Sequence, residues 1–106
     1  MTQRLKSILS ELRGQLADLY GRRLVRVVLY GSQARDEAAE SSDIDLLVVL
    51  DGPVSPGEEI SRAGDTVARI SLANNVVISC AFVSERRIEA EHSPFLMNVR
   101  REGVAV

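Results

Sequence analysis

A chain of 106 residues with 45% hydrophobic and 26% charged side chains has the size of one domain, residues 1–106. It can bury a core without disulfides or a structural metal. Thirteen basic against fifteen acidic side chains leave a net charge of −2, which argues against nucleic acid held by a general basic surface. One Cys and one His exclude an intramolecular disulfide and an ordinary zinc cluster. No apolar run reaches the ~18–20 residues of a membrane span, and MTQRLKSILSEL lacks the apolar segment of a secretory signal. The expectation is a soluble cytoplasmic domain without a membrane partner.

In chain order, Leu5, Ile8, Leu9, Leu12, Leu16 and Leu19 recur at helical spacing, with Thr2 as candidate N-cap and Gly21 as stop. LVRVVLY, residues 24–30, reads as a strand covered on both faces for most of its length. Gly31-Ser32 ends it, and QARDEA can make a short helix before the polar Glu40-Ser41-Ser42. DIDLLVVL, residues 43–50, is a second strand with acids only at its start. DGPVSPG, residues 51–57, reads as a loop. A helix is expected from about Glu58 to Leu72, a third strand over residues 76–83, and a tail of two helical turns joined at Ser93-Pro94 and stopped at Gly103. This order predicts an α/β (α+β) domain with helices covering a three- or four-stranded sheet.

The chemistry concentrates in YGSQARDEAAESSDIDLLVVL, residues 30–50. Asp43 and Asp45 are two apart at a strand start, so their carboxylates project from one face while Ile44 points the other way. Such a pair repels itself unless a cation lies between, and Mg²⁺ with oxygen ligands meets that need. Gly31-Ser32 stands at a strand-to-helix turn, where a missing Cβ permits close backbone approach and free N–H groups favour phosphate. Ser32 adds a hydroxyl and Arg35 a guanidinium. A phosphate cradle leading into a carboxylate pair is a layout for metal-assisted nucleotidyl transfer.

Plainer readings exist for each residue. The two aspartates alone would be a solvated strand start, and Arg35 a surface arginine paired with Asp36 or Glu37. Ser42 reads first as a turn residue and second as a nucleotide contact. Cys80 reads as a small buried hydrophobe, and His92 as a surface or capping residue. Phe95, Leu96, Met97 and Val99 read as a terminal helix docked on the sheet, some of whose apolar surface meets a partner.

Gly31-Ser32, ten residues, then Asp43-Ile44-Asp45-Leu46 resembles the signature of the polymerase-β-like nucleotidyltransferases, and GSQAR…SSDIDLLV resembles their minimal nucleotidyltransferase branch. The resemblance implies a small mixed sheet flanked by helices, as in the polymerase-β palm. It implies Mg²⁺ at Asp43 and Asp45 and an NTP such as ATP with its phosphates against Gly31, Ser32 and Arg35, and Ser42 stands beside them as a candidate nucleotide contact. It also implies transfer of NMP with release of pyrophosphate, and an antitoxin-like association with a HEPN-type protein partner that receives AMP. The chain departs from the pattern where family members carry a third carboxylate on a later strand. VVISCAFV has no acid, and the expected position falls at Ser79 or Cys80, with Glu85 two residues past the strand. Without that group a second reading stands beside transfer: a catalytically impaired binding module that acts by occupying its partner. A domain with no retained ligand is a third.

Overall fold

The computed structural model describes residues 1–35 and 43–106. Helix α1, Gln3–Tyr20, starts where the Thr2 side chain accepts from the Leu5 amide at 3.1 Å, replacing one of the helix's unmade backbone bonds. It ends at Gly21, whose φ of 56° places it where L side chains rarely go. Leu5, Ile8, Leu9, Leu12 and Leu16 are buried as their spacing requires, but the last turn buries Tyr20 and leaves Leu19 exposed. A 3₁₀ turn, Gly21–Arg23, leads into β1, Leu24–Tyr30.

Strand β2 covers Ile44–Leu50, helix α2 Pro56–Asn74 and strand β3 Ile78–Ser84. Helix α2 begins two residues before its expected start, because Pro56 occupies the first turn, where its missing N–H costs nothing. It ends where Asn75 adopts the left-handed conformation, φ 52°. Short helices α3, Glu85–Ala90, and α4, Pro94–Glu102, are each capped by a serine, Ser84 and Ser93, whose hydroxyls accept from Arg87 and Leu96 amides. A two-residue strand, β4, Val104–Ala105, follows Gly103.

The sheet order is β3-β2-β1-β4, with β2 and β3 parallel and the other pairs antiparallel, so the expected mixed sheet is four-stranded. The parallel pair needs a crossover, and α2 supplies it. Strict alternation in β2 divides the interior in two. Ile44, Leu46, Val48 and Leu50 pack in the cluster containing α1 and α2, while Leu47 and Val49 pack with Ile88 of α3 and Leu96 and Val99 of α4. A near-continuous apolar strand is what burial on both faces demands. One charged side chain is buried among the described residues. Glu59 of α2, 2% exposed, accepts from Tyr20 Oη at 3.1 Å and from Arg62 at 2.8 Å, with Arg23 at 3.6 Å. This knot joins α1, the 3₁₀ turn and α2. No helix among the described residues is long and apolar enough to cross a membrane.

Candidate active site

Because β1 and β2 are antiparallel and β2 and β3 parallel, the end of β1 and the starts of β2 and β3 meet at one end of the sheet. There Tyr30, Asp45 and Ser79 form one row across three strands. Neighbours in register share a face. Ile44 is buried on the α1–α2 side, so Asp45 looks out on the α3–α4 side. Asp43 is exposed just ahead of the strand.

Gly31 follows Tyr30 with φ 77°. A Cβ placed on it would come within 2.6 Å of Asp45 Oδ2, closer than real side chains pack. The glycine therefore serves first to bring the turn's backbone against the carboxylate, in a conformation that any side chain would strain. Ser32 through Arg35 form a turn, with the Ala34 amide bonded to Gly31 O at 3.1 Å. The short helix expected over QARDEA is thus a turn as far as Arg35. Its remainder lies outside the described residues, as do Ser42, Asp36, Glu37 and Glu40.

Burial, and after it the negative charge of Asp43, raise the Asp45 carboxyl above the ordinary carboxylate range. Burial also raises the Tyr30 phenol, with the Asp45 charge as the next cause. Two neighbouring carboxylates beside a backbone cradle are a donor set that suits Mg²⁺. That ion is commonly held by one or two carboxylates and completed by substrate phosphates. Among the described residues no cluster of three or more His, Cys, Asp or Glu could hold a metal by itself.

The strand register separates the two positions, Ser79 and Cys80, at which a third acid was expected. Ser79 is paired with Asp45, exposed and on the same face. Cys80 pairs with Leu46 and packs against the α1–α2 cluster, where burial pushes its thiol up to about 12. Glu85 follows Ser84, which is in register with Leu50 at the opposite end of β2. Six residues of strand put it ~20 Å from the Asp45 row. Glu85 is therefore no substitute.

Arg35 is ion-paired with Glu102 at the end of α4, 3.1 Å away; the local acids expected for it, Asp36 and Glu37, lie outside the described residues. Both side chains are more than a third exposed. Tyr30 is the neighbour that the motif did not reveal. It stands beside Asp45 and meets Phe95 edge-to-face at 5.4 Å between ring centroids, so α4 walls one side of the row. Its place immediately before Gly31 was the available signal.

A family model for the nucleotidyltransferase domain matches residues 9–96, which include the whole row. The chain belongs to this nucleotidyltransferase family. No curated protein matches the nucleotidyltransferase domain in sequence. A solved structure described provisionally as a minimal nucleotidyltransferase is similar at 25% identity and TM-score 0.60, over 96% of this chain and 95% of the other. A toxin–antitoxin crystal structure with AMP-PNP has TM-score 0.62 and 14% identity, over 89% of this chain and 68% of the other. A MntA–HpeT toxin–antitoxin variant, with two aspartates two positions apart changed to glutamate, has TM-score 0.60 and 13% identity, over 94% and 69%. The last two likenesses are of fold. The nucleotidyltransferase domain thus has the architecture that its motif implied.

Proposed function

We propose that this domain binds a Mg²⁺–nucleotide, ATP or another NTP, with Asp43 and Asp45 toward the metal and Gly31 and Ser32 toward the phosphates. The reading also gives it a protein partner, of HEPN type, as acceptor of AMP in an antitoxin-like pair. The observation that carries the binding half is the contact of Gly31 with Asp45, which sets a turn's backbone directly against a carboxylate. Bound there, Mg²⁺ would offset phosphate charge as the bond from the α-phosphorus to the bridging oxygen weakens. The chain's own residues hold the carboxylates at a rigid strand start and wall one side with Tyr30 and Phe95. In the transfer, an acceptor oxygen bonds to the α-phosphorus, pyrophosphate leaves with the electron pair, and the hydroxyl proton passes to a base.

Ser79 in register with Asp45 favours the second reading, a nucleotide-binding module of low or no turnover. A serine hydroxyl is a poor base at neutral pH, and a missing base typically costs about 10²–10⁴ in rate. Support also comes from neighbours that are toxin–antitoxin assemblies, one of them holding AMP-PNP. Calorimetry with AMP-PNP and Mg²⁺ tests the binding step. The expected result is Mg²⁺-dependent binding that Asp43→Asn and Asp45→Asn abolish. Radiolabelled ATP incubated with the domain and a HEPN-type protein then separates the readings: label on that protein supports transfer, and binding without label supports the module. Absence of binding in the wild-type chain would sink both.

A further inference from the structure

The two edges of the sheet are unlike. At one edge β4 presents only two residues. At the other, β3 runs for seven residues, ISCAFVS, without a charge or a proline, and among the described residues it pairs only with β2. Proteins ordinarily guard such an edge with lysine, proline or a bulge, because unpaired N–H and C=O groups recruit another strand. Helix α2 lies beside this edge, and between them runs a groove of about 280 Å³ whose lining includes Ile60, Gly64, Ala68, Cys80 and Phe82.

The helix side of the groove is uncharged. Ile60, Gly64 and Ala68 follow at intervals of four and share one side of α2. Ile60 is 56% exposed, and Leu72, one turn on, is 83% exposed. Val77, just before β3, is also exposed. Three of the charges of α2 are held elsewhere: Arg62 pairs with Glu59, and Arg69 donates to Gln15 of α1, while Glu58 and Asp65 are exposed. Gly64 is a second, independent sign. A glycine inside a helix costs about 0.8–1 kcal/mol relative to alanine, yet a Cβ at Gly64 would meet nothing within 4 Å. Packing within this chain does not require it. A second helix laid close alongside would.

We propose that the α2–β3 edge is a self-association surface, where β3 pairs antiparallel with β3 of a second copy and α2 packs against its counterpart across a two-fold axis. An uncharged face suits an identical uncharged face, and a strand–helix edge is matched on both levels only by another strand and helix. A two-fold axis normal to the sheet brings like elements together in this way. The size fits too. With 19 residues, α2 runs roughly 28 Å at 1.5 Å per residue, and the molecule is 20 Å thick in its shortest dimension. That face, on the order of 550 Å² in projection and larger in accessible area, approaches the ~800 Å² per partner of a standard interface.

Sedimentation equilibrium of the full chain, from about 1 µM to about 1 mM, covers the range of weak to moderate dimers. The expected result is a mass rising from 11.6 kDa to twice that value, with Gly64→Glu and Ala68→Glu each holding the chain monomeric. Ala68 is exposed and a side chain at half-buried Gly64 would meet open space, so at dilution the variants should unfold at no lower denaturant concentration than wild type. Amide exchange should show β3 protected at high concentration and unprotected in Gly64→Glu. A wild-type chain that stays monomeric throughout would overturn the proposal and leave this edge to a strand of another protein. So would a dimer that survives both substitutions.

Discussion

Ser79 lies in register with Asp45, on the same face and one strand away. Adjacent parallel strands are ~4.8 Å apart, so a carboxylate at Ser79 would reach the space in front of Asp45. Ser79→Asp is therefore expected to gain AMP transfer by at least about tenfold, given the ~10²–10⁴ that a positioned base supplies. A labelled-ATP assay on the partner checks this, with Cys80→Asp as the contrast. Cys80 points into the apolar α1–α2 cluster, so its replacement should destabilise the fold and bring no gain.

Gly31→Ala places a methyl group within 2.6 Å of the Asp45 carboxylate at a φ of 77°. Either the turn or the carboxylate has to move. The expected cost is about 1–3 kcal/mol of stability, together with loss of Mg²⁺–nucleotide binding, measured by urea unfolding and calorimetry. Unchanged binding would show that the close approach plays no part in the site.

Glu59 is buried with Tyr20 and Arg62 as hydrogen-bond partners. Glu59→Ala takes the acceptor from the Tyr20 hydroxyl and Arg62 and the ion-pair partner from Arg23, and should cost about 2–4 kcal/mol in urea unfolding. Tyr20→Phe keeps the ring contact with Phe82, 6.2 Å between centroids, and leaves Glu59 its arginine. It should cost only about 0.5–1.5 kcal/mol.

The same pair predicts an alkaline dependence. Burial, and then the charge of Glu59, push the Tyr20 phenol from 10 up to about 12. Between these values the unfolded chain has released the proton and the folded chain retains it. The contribution of Tyr20 is therefore full below pH 10 and declines as pH rises toward 12, on top of a decline from about pH 9 that the raised Cys80 thiol contributes. Urea midpoints at several pH values in that window should show the decline in wild type and a weaker one in Tyr20→Phe.

The fold was legible wherever local pattern and tertiary burial agree. Residues 24–30 are a run of branched residues closed by glycine, and β1 has those limits. Alternation placed Ile44 opposite Asp43 and Asp45, and Ile44 is buried. Other features depend on partners remote in sequence. Two residues of β4 carry no periodicity, and only β1 makes them a strand. Arg35 has a partner in Glu102, 67 positions away, which no local pattern announces. Pro56, read as part of the loop over residues 51–57, instead opens α2, since proline marks loops and first helical turns alike. The choice between Ser79 and Cys80 needed a register, and apolar pattern alone does not provide one.

Asp45 owes its place to its neighbours' greasiness. Ile44, Leu46, Val48 and Leu50 all enter one cluster, so sliding β2 by a single residue would exchange every inward and outward side chain. The carboxylate would then be driven under α1 and α2, and four large aliphatic groups would turn away from that cluster. The penalty for such a slip falls on the whole strand, which makes the aspartate's aim insensitive to whatever binds in front of it. Substitutions around the rim should thus leave the direction of Asp45 unchanged, since the buried face of its own strand keeps it.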